Sequence, residues 1–482
     1  MTIKELQPTI VWNNFYQLTQ FPRPSKHEEK VREFLLRWGK EHGIETEADE
    51  TGNVIMRVPA TPGYENRKGV ILQGHMDMVP QKVASSSHDF LNDPIDTIID
   101  GDWVKANGTT LGADNGMGVA LAMAVAESKD VEHGPLEILV TYDEETGMTG
   151  AKSLRPGVLK GDILLNLDSE DEQELCIGCA GGLDVMARFK YDTEKVGDGY
   201  AAYNLVVKGL QGGHSGMDIA LYRANANKVA GEAIADAVEN KGVKLVNFTG
   251  GSLRNAIPFE AEVEILVPKE NESETVRAIE ASLADSKVIY KESDPDMQGY
   301  LRRLDTLPQE CIDSKVALNV IKAILACPSN VVRMSRSMEG LTETSINLAI
   351  VRCENGCVTI ASLMRSAVDV AKEQLARRVR YIFEMAGAEV EFKGGYSGWV
   401  PNPSSPLIGL LNDIHKQKFG IPMDVKATHG GLECAIMGAN YPNWEMISIG
   451  PTIKYPHSPD ERCFIPSVAK TWSFLKAVLK AI

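Results

Sequence analysis

Val31, Phe34, Leu35 and Trp38 recur at helical spacing behind Ser25 and Glu28, whose separation is that of a capping box, so a helix is expected from about residue 26 to Gly43. Three apolar runs follow, GVILQG (69–74), LEILVTY (136–142) and DILLNLD (162–168), each short enough for a strand buried on both faces. Between the first two, GMGVALAMAVAES (116–128) is apolar nearly all round and rich in small side chains, which predicts a helix packed closely on a sheet. Strands alternating with helices point to an α/β domain, and in such sheets functional groups gather beyond the carboxyl ends of the strands.

From about residue 183 the pattern changes to polar and apolar alternation, as in YNLVVKG (203–209) and AEVEILVP (261–268), with amphipathic helices near 224–240 and 273–285. SINLAIVR and CVTIASLMRSA then flank the turn signal Glu354-Asn355-Gly356, and a helix is expected from Asp369 to Met385. The recurring order of strand, hairpin and helix suggests two related lobes. After Gly398 the pattern of the N-terminal part returns: WEMISIG (444–450) suits a buried strand, and Val468, Trp472, Leu475, Leu479 and Ile482 share one face of a final helix. The expected organisation is a mixed, largely parallel sheet flanked by helices in a discontinuous domain, residues 1–182 and 398–482, with an inserted α+β domain at 183–397.

Composition narrows the possible functions. The net charge of −16 and pI near 5.2 do not suit a nucleic-acid surface, which needs clustered Lys and Arg. No run approaches the roughly 18 apolar residues of a membrane span, and MTIKELQPTIVWNNF has no basic-then-apolar leader pattern, so a cytoplasmic protein is expected. The eight cysteines, including the pairs Cys176/Cys179 and Cys353/Cys357, read as reduced, mostly buried thiols; a structural zinc site is the minor reading.

The polar residues beyond the apolar runs carry the candidate chemistry. In GHMDM, His75 and Asp77 are two apart, so in extended chain both project to one side and the carboxylate can fix the imidazole. TLGADNGMG sets Asp114 in a Gly-flanked turn before the buried helix, where a helix cap is the ordinary reading. TYDEETGMTG places Asp143, Glu144 and Glu145 side by side past a strand, where their mutual repulsion calls for hydration or compensation. Asp168 ends the third run, His457 lies between prolines in YPHSPDER, and Cys434 and His429 fall in THGGLECAIMG, where packing around a glycine turn is the preferred reading for Cys434.

The order H-x-D, G-A-D-N, E-E, D and H, with GGHSGMDI (212–219) and RNAIP (254–258) in the insertion, resembles the di-zinc exopeptidases that include aminoacylase, carboxypeptidase G and the bacterial dipeptidases. The likeness covers essentially the whole chain. It implies two divalent ions: His75 and Asp168 on one, Glu145 and His457 on the other, and Asp114 bridging them through a residue whose bond to Asn115 is cis. Zinc suits imidazole with carboxylate, and cobalt and manganese also fit. Adjacent side chains diverge at a strand end, so Glu145 can ligate while Glu144 acts as general base. Asp143 has no assigned role and reads as solvated or structural.

The resemblance also makes the insertion a lid in which His214 stabilises the oxyanion and Asn255, Arg365 and Gly431 hold a terminal carboxylate. It admits a homodimer through that domain. The implied activity is a metallodipeptidase acting on small unblocked dipeptides, with C-terminal histidine preferred, as in β-alanyl-histidine. A related deacylase of N-acyl amino acids, or a carboxypeptidase, is the alternative; Asp at position 168, where deacylases and carboxypeptidases of the superfamily tend to carry Glu, favours the dipeptidase. A non-catalytic metal-binding protein is a third reading, and a second, non-ligating glutamate at 144 argues against it.

Overall fold

The computed structural model describes residues 2–482 and divides into two compact units. The first comprises residues up to Gly178 with Pro401–Ala427 and Leu432–Ile482, and the second Cys179–Val400 with Thr428–Gly431.

The first unit is built on an eight-stranded mixed sheet. In spatial order its strands are Glu45–Ala48, Val54–Val58, Leu136–Thr141, Val70–His75, Ile163–Asn166, Glu445–Ser448, Glu174–Cys179 and Asp424–Thr428. The four in the middle run parallel, and the three from the apolar runs are buried at every position, because helices cover both faces. The helix Ala113–Glu127 packs on the Val70–His75 strand, and its small side chains permit that approach. In the closing helix Ile465–Ala481, Val468, Trp472, Leu475 and Leu479 are buried. A four-stranded sheet places Ile453–Lys454, Arg462–Phe464, Trp103–Ala106 and Thr97–Asp100 side by side.

The amphipathic helix expected from about residue 26 runs from Glu29 to Glu41, three residues later than the capping-box reading placed its start. Ser25 does not cap it, because its hydroxyl donates to Asp77 Oδ2 at 2.8 Å. Glu28 instead accepts the amides of Lys26 and Asp143.

The second unit is one antiparallel nine-stranded sheet with its helices and a continuous apolar core. Eight of its strands form two halves of matching order, and the ninth, Asn330–Met334, pairs with Thr342–Glu354 outside that pattern. The first half is strand 200–208, helix 226–240, strands 244–250 and 261–268, helix 272–289 and strand 298–303. The other is strand 181–190, helix 314–326, strands 342–354 and 357–366, helix 369–385 and strand 389–396. Each follows β-α-β-β-α-β with its strands in the spatial order fourth, first, third, second. The second strands meet edge to edge, Thr249 opposite Arg352 and Gly250 opposite Val351. The strand Tyr200–Lys208 is buried from Ala201 to Val207, so its alternation in sequence is not an alternation of exposure.

Six of the eight cysteines are buried, and Cys353 and Cys357 are half-buried. Among the described residues no helix is long and apolar enough to cross a membrane.

Candidate metal centre

Parallel pairing brings the candidate residues of the first unit to one edge of its sheet. His75, the last residue of its strand, lies opposite Thr141, and Gln73 lies opposite Asn166, so two of the strands end level and the third ends two residues short of them. Asp77 follows His75 by two residues and Asp168 follows its strand by two. Glu144 and Glu145 open the short helix Glu144–Gly147 behind Asp143, whose φ of 52° turns the chain sharply. Asp114 departs from helical geometry inside the first turn of Ala113–Glu127, and its peptide bond to Asn115 is cis. His457, with φ 59°, lies on the connection between Ile453–Lys454 and Arg462–Phe464.

These elements bring His75, Asp114, Glu145, Asp168 and His457 together. Asp114 Oδ1 is 3.1 Å from His75 Nε2, and its Oδ2 is 3.1 Å from His457 Nε2. His75 Nε2 also faces Asp168 Oδ1 at 3.5 Å, and His457 Nε2 faces Glu145 Oε2 at 3.0 Å. One carboxylate therefore stands between two imidazole–carboxylate pairs. The ligand atoms of His75, Asp114 and Glu145 all lie within 4.8 Å of one another. Glu145 Oε1 and Asp168 Oδ1 are buried without a hydrogen-bond donor. Buried, clustered carboxylate oxygens without donors fit a cation, and the donor set is one that first-row divalent metals accept.

The electrostatics of the cluster agree with this. Burial, together with Asp114 and Glu145 and against His75, raises Asp168 to about 6. Hydrogen bonds to Asp114 and Glu145 raise His457 to about 11. Burial disfavours a charged His75, yet Asp168, Asp114 and Asp77 hold its pKa well above the usual value. Burial, with Glu433, Glu145 and Asp168 adding and His75 opposing, pushes Glu144 well above the carboxylate range. The cluster thus retains positive charge and protons in places where a metal would neutralise the carboxylates.

Asp77 is fully buried and accepts four hydrogen bonds: His75 Nδ1 and the Glu144 amide on Oδ1, the Ser25 hydroxyl and the Glu145 amide on Oδ2. Glu28, Asp77 and Asp143 form a second acidic group within 4.8 Å, but nearly all of its oxygens already have donors. Asp143 is 2% exposed and accepts the hydroxyls of Thr146 and Thr149, so its role is structural and it is not solvated.

Several residues of the site had no local signal. Asn115 donates to Leu167 O at 2.8 Å and accepts the His75 amide at 3.3 Å, tying together the segments that carry His75 and Asp168. Below the candidate ligands a buried belt crosses the sheet: Gln73 and Thr141 donate to Glu433 Oε2 at 2.7 and 2.6 Å, and Asn166 donates to Gln73 Oε1 at 2.6 Å. Burial raises Glu433 to about 8. Glu433 and Glu461 sit in stretches singled out by sequence, THGGLECAIMG and YPHSPDER, yet only their burial reveals them.

In the second unit the structure brings together His214, from one half of the sheet domain, and Arg365, from the other. His214 Nδ1 accepts the amides of Gly216 and Met217 at 3.3 and 3.1 Å, so the neutral ring carries its proton on Nε2. That Nε2 lies 3.4 Å from Arg365 Nη2. Arg365 is 5% exposed and donates to Ser215 Oγ and Tyr396 Oη, both at 3.4 Å; among the described residues no carboxylate forms an ion pair with it. Two donors converging without an acceptor suit an incoming anion. Gly431 is close by, since a Cβ there would lie 2.9 Å from Tyr396 Oη. Asn255 is exposed, and its carbonyl accepts the Ser215 amide at 2.7 Å. Tyr396 is a further residue of this group that had no sequence signal.

Comparison with known proteins places the chain. It is 41% identical over 486 residues to the cytosol non-specific dipeptidase of Escherichia coli K12, covering 100% of this chain and 99% of that protein. The crystal structure of aminoacylhistidine dipeptidase from Vibrio alginolyticus superposes with a TM-score of 0.93 at 43% identity, covering 100% of this chain and 98% of the other. A tripeptidase from Staphylococcus aureus shares the fold at 16% identity, with a TM-score of 0.56 over 99% of this chain and 98% of its own. The sequence profile of peptidase family M20/M25/M40 matches residues 71–481, and the chain belongs to that family.

Proposed function

We propose that the protein is a cytosolic metal-dependent dipeptidase that hydrolyses unblocked dipeptides, with Xaa-His substrates such as β-alanyl-histidine preferred. The single observation that carries the metal hydrolase is Asp114, with its two oxygens 3.1 Å from imidazole nitrogens of two different histidines. The full-length likeness to two dipeptidases supports the substrate class.

In this reading His75 and Asp168 would hold one divalent ion and Glu145 and His457 a second, with Asp114 available to both; zinc is favoured, with cobalt and manganese as alternatives. Bound ions would polarise the scissile carbonyl and make the attacking water more acidic. Asp77 accepts the Nδ1 proton of His75, which leaves Nε2 free to ligate. Glu144 takes the proton of the attacking water and returns it to the leaving amine. His214 offers its Nε2 proton to the oxyanion, and Arg365, with Asn255 and Gly431, receives the substrate's terminal carboxylate.

A panel of dipeptides and N-acetyl amino acids, assayed with zinc, cobalt and manganese, tests this function. Free histidine should appear from β-alanyl-histidine while N-acetyl amino acids stay intact. Release of acetate from the latter, with dipeptides untouched, would replace the dipeptidase by the related deacylase.

A further inference from the structure

Two buried groups of opposite charge lie behind the metal-ligand residues without touching the candidate ligand atoms. Arg23, between Pro22 and Pro24, is 2% exposed. Its Nη1 donates to Met76 O and Asp77 O, both at 3.1 Å, and its Nη2 donates to Gly112 O at 2.5 Å. Glu461, also 2% exposed, receives four consecutive amides: Leu111 and Gly112 on Oε2 at 2.8 and 2.9 Å, Ala113 and Asp114 on Oε1 at 2.7 and 3.2 Å. The peptide groups of Gly112 are thus gripped from both sides, the N–H by Glu461 and the C=O by Arg23.

The connections matter more than the individual bonds. Arg23 ties the segment that carries Asp114 to the one that carries His75 and Asp77. Glu461, four residues after His457, ties the Asp114 segment to the one that carries His457. A cation and an anion therefore join three segments that each supply one candidate ligand. The surrounding backbone makes room for Arg23: Gly112 has φ +69° and a Cβ there would lie 2.6 Å from Arg23 Nη2, and a Cβ at Gly116 would collide with the same atom.

We infer that Arg23 and Glu461 form an ionic clamp that sets the positions of His75, Asp114 and His457 and thereby the affinity of the centre for its metal ions. The inference rests on the proposed metal centre. Both are positioning residues, acting on the backbone that carries the ligands.

Arg23 separates this role from simple electrostatics. A buried cation beside a cation site repels the metal, so if charge alone mattered, Arg23→Met would tighten metal binding. The clamp requires the reverse. Arg23→Lys keeps the charge but replaces a fork that spans two segments by a single ammonium, so it too should weaken binding. Glu461→Gln puts N–H groups where amides need an acceptor, with the same expected result.

The test is titration of chelator-stripped protein with Zn2+ and Co2+, monitored by calorimetry and by Co2+ absorption, beside melting of the metal-free protein. Arg23→Met, Arg23→Lys and Glu461→Gln should each weaken metal binding by about 10–100-fold, the usual effect of removing outer partners of a metal site. Should Arg23→Met not fold, Gly116→Ala, which displaces the guanidinium while leaving it in the sequence, should weaken binding in the same way. Variants that bind metal as tightly as wild type, or an Arg23→Met that binds more tightly, would overturn the clamp even if their metal-free melting temperatures fell. A wild-type protein that binds no divalent metal would overturn the metal reading and the clamp with it.

Discussion

The carboxylate of Asp77 holds the backbone of Glu144: Oδ1 accepts the Glu144 amide at 3.0 Å while also accepting His75 Nδ1 at 3.2 Å. Its second oxygen accepts the Glu145 amide at 3.1 Å. One buried side chain thus orients a candidate ligand and fixes the turn that presents the candidate base. Asp77→Asn replaces one acceptor oxygen by a donor and must break one side of this arrangement. Metal affinity should fall by about 10–100-fold, and kcat should stay low by ~10² when metal is saturating, because the base is displaced. Full recovery of kcat at high metal would limit Asp77 to supporting His75.

The adjacent acids should separate by function. Glu144→Gln should keep its metal but lose ~10²–10⁴ in kcat, the usual contribution of general acid–base catalysis. Glu145→Gln should lose metal as well. Metal analysis of both purified variants decides the matter, and equal depletion would refute the division of labour.

His214 presents an Nε2 proton because two backbone amides occupy Nδ1. His214→Ala should therefore lower kcat by ~10²–10³ with metal content unchanged. An unchanged kcat would remove His214 from the mechanism.

Arg365 is a buried cation facing His214, and among the described residues no carboxylate forms an ion pair with it. A substrate carboxylate would supply one, so dipeptide amides and tripeptides should be poor substrates. Loss of a charged hydrogen bond costs about 1.5–3 kcal/mol, roughly 10- to 150-fold in kcat/KM. Arg365→Ala should reduce turnover of dipeptides and narrow their advantage over the amides. Cleavage of β-alanyl-histidine amide as fast as the free acid by the wild-type protein would exclude the carboxylate clamp.

Acid stability should carry the signature of His429. It is 5% exposed, its Nε2 lies 2.8 Å from Ser345 Oγ, and burial with the neighbouring Arg365 lowers its pKa from 6.5 to about 3. The unfolded chain takes up a proton below its ordinary pKa while the folded ring stays neutral. This contribution to stability is thus complete above pH ~6.5 and declines toward pH ~3, by at most ~1.4 kcal/mol per pH unit. Denaturant melts between pH 7 and 4 should show a shallower loss in His429→Gln than in the wild type; parallel curves would remove His429 as a cause.

Elements whose signals are local could be read from the amino-acid order alone. A run of apolar residues long enough for a strand and too short for a helix is read from a few consecutive positions, which is why the strands at 70–75, 136–141 and 163–166 were legible, and with them the polar residues that follow. His75, Glu145 and Asp168 stood out because they follow buried strands, where polar side chains otherwise lack a reason to be, whereas Asp114 and His457 had no such signal and entered as candidates through the family resemblance. The repeated order of elements in the insertion likewise hinted at its two halves.

Tertiary structure decided what depends on contacts between distant positions. Glu461 meets the amide of Leu111 across 350 residues and Arg23 meets Gly112 across 89, and no periodicity records either pairing. Only the fold could show that Asp143 is buried beneath threonine hydroxyls, that Ser25 serves Asp77 in place of a helix end, or that strand Tyr200–Lys208 is covered despite its alternation. Hydrophobic patterning states which face of an element avoids water, whereas hydrogen-bond partners are selected by the geometry of the assembled chain. Arg23 and Glu461, behind the candidate ligands, belong to that second class, because a buried ion is tolerated only where the folded backbone supplies its partners.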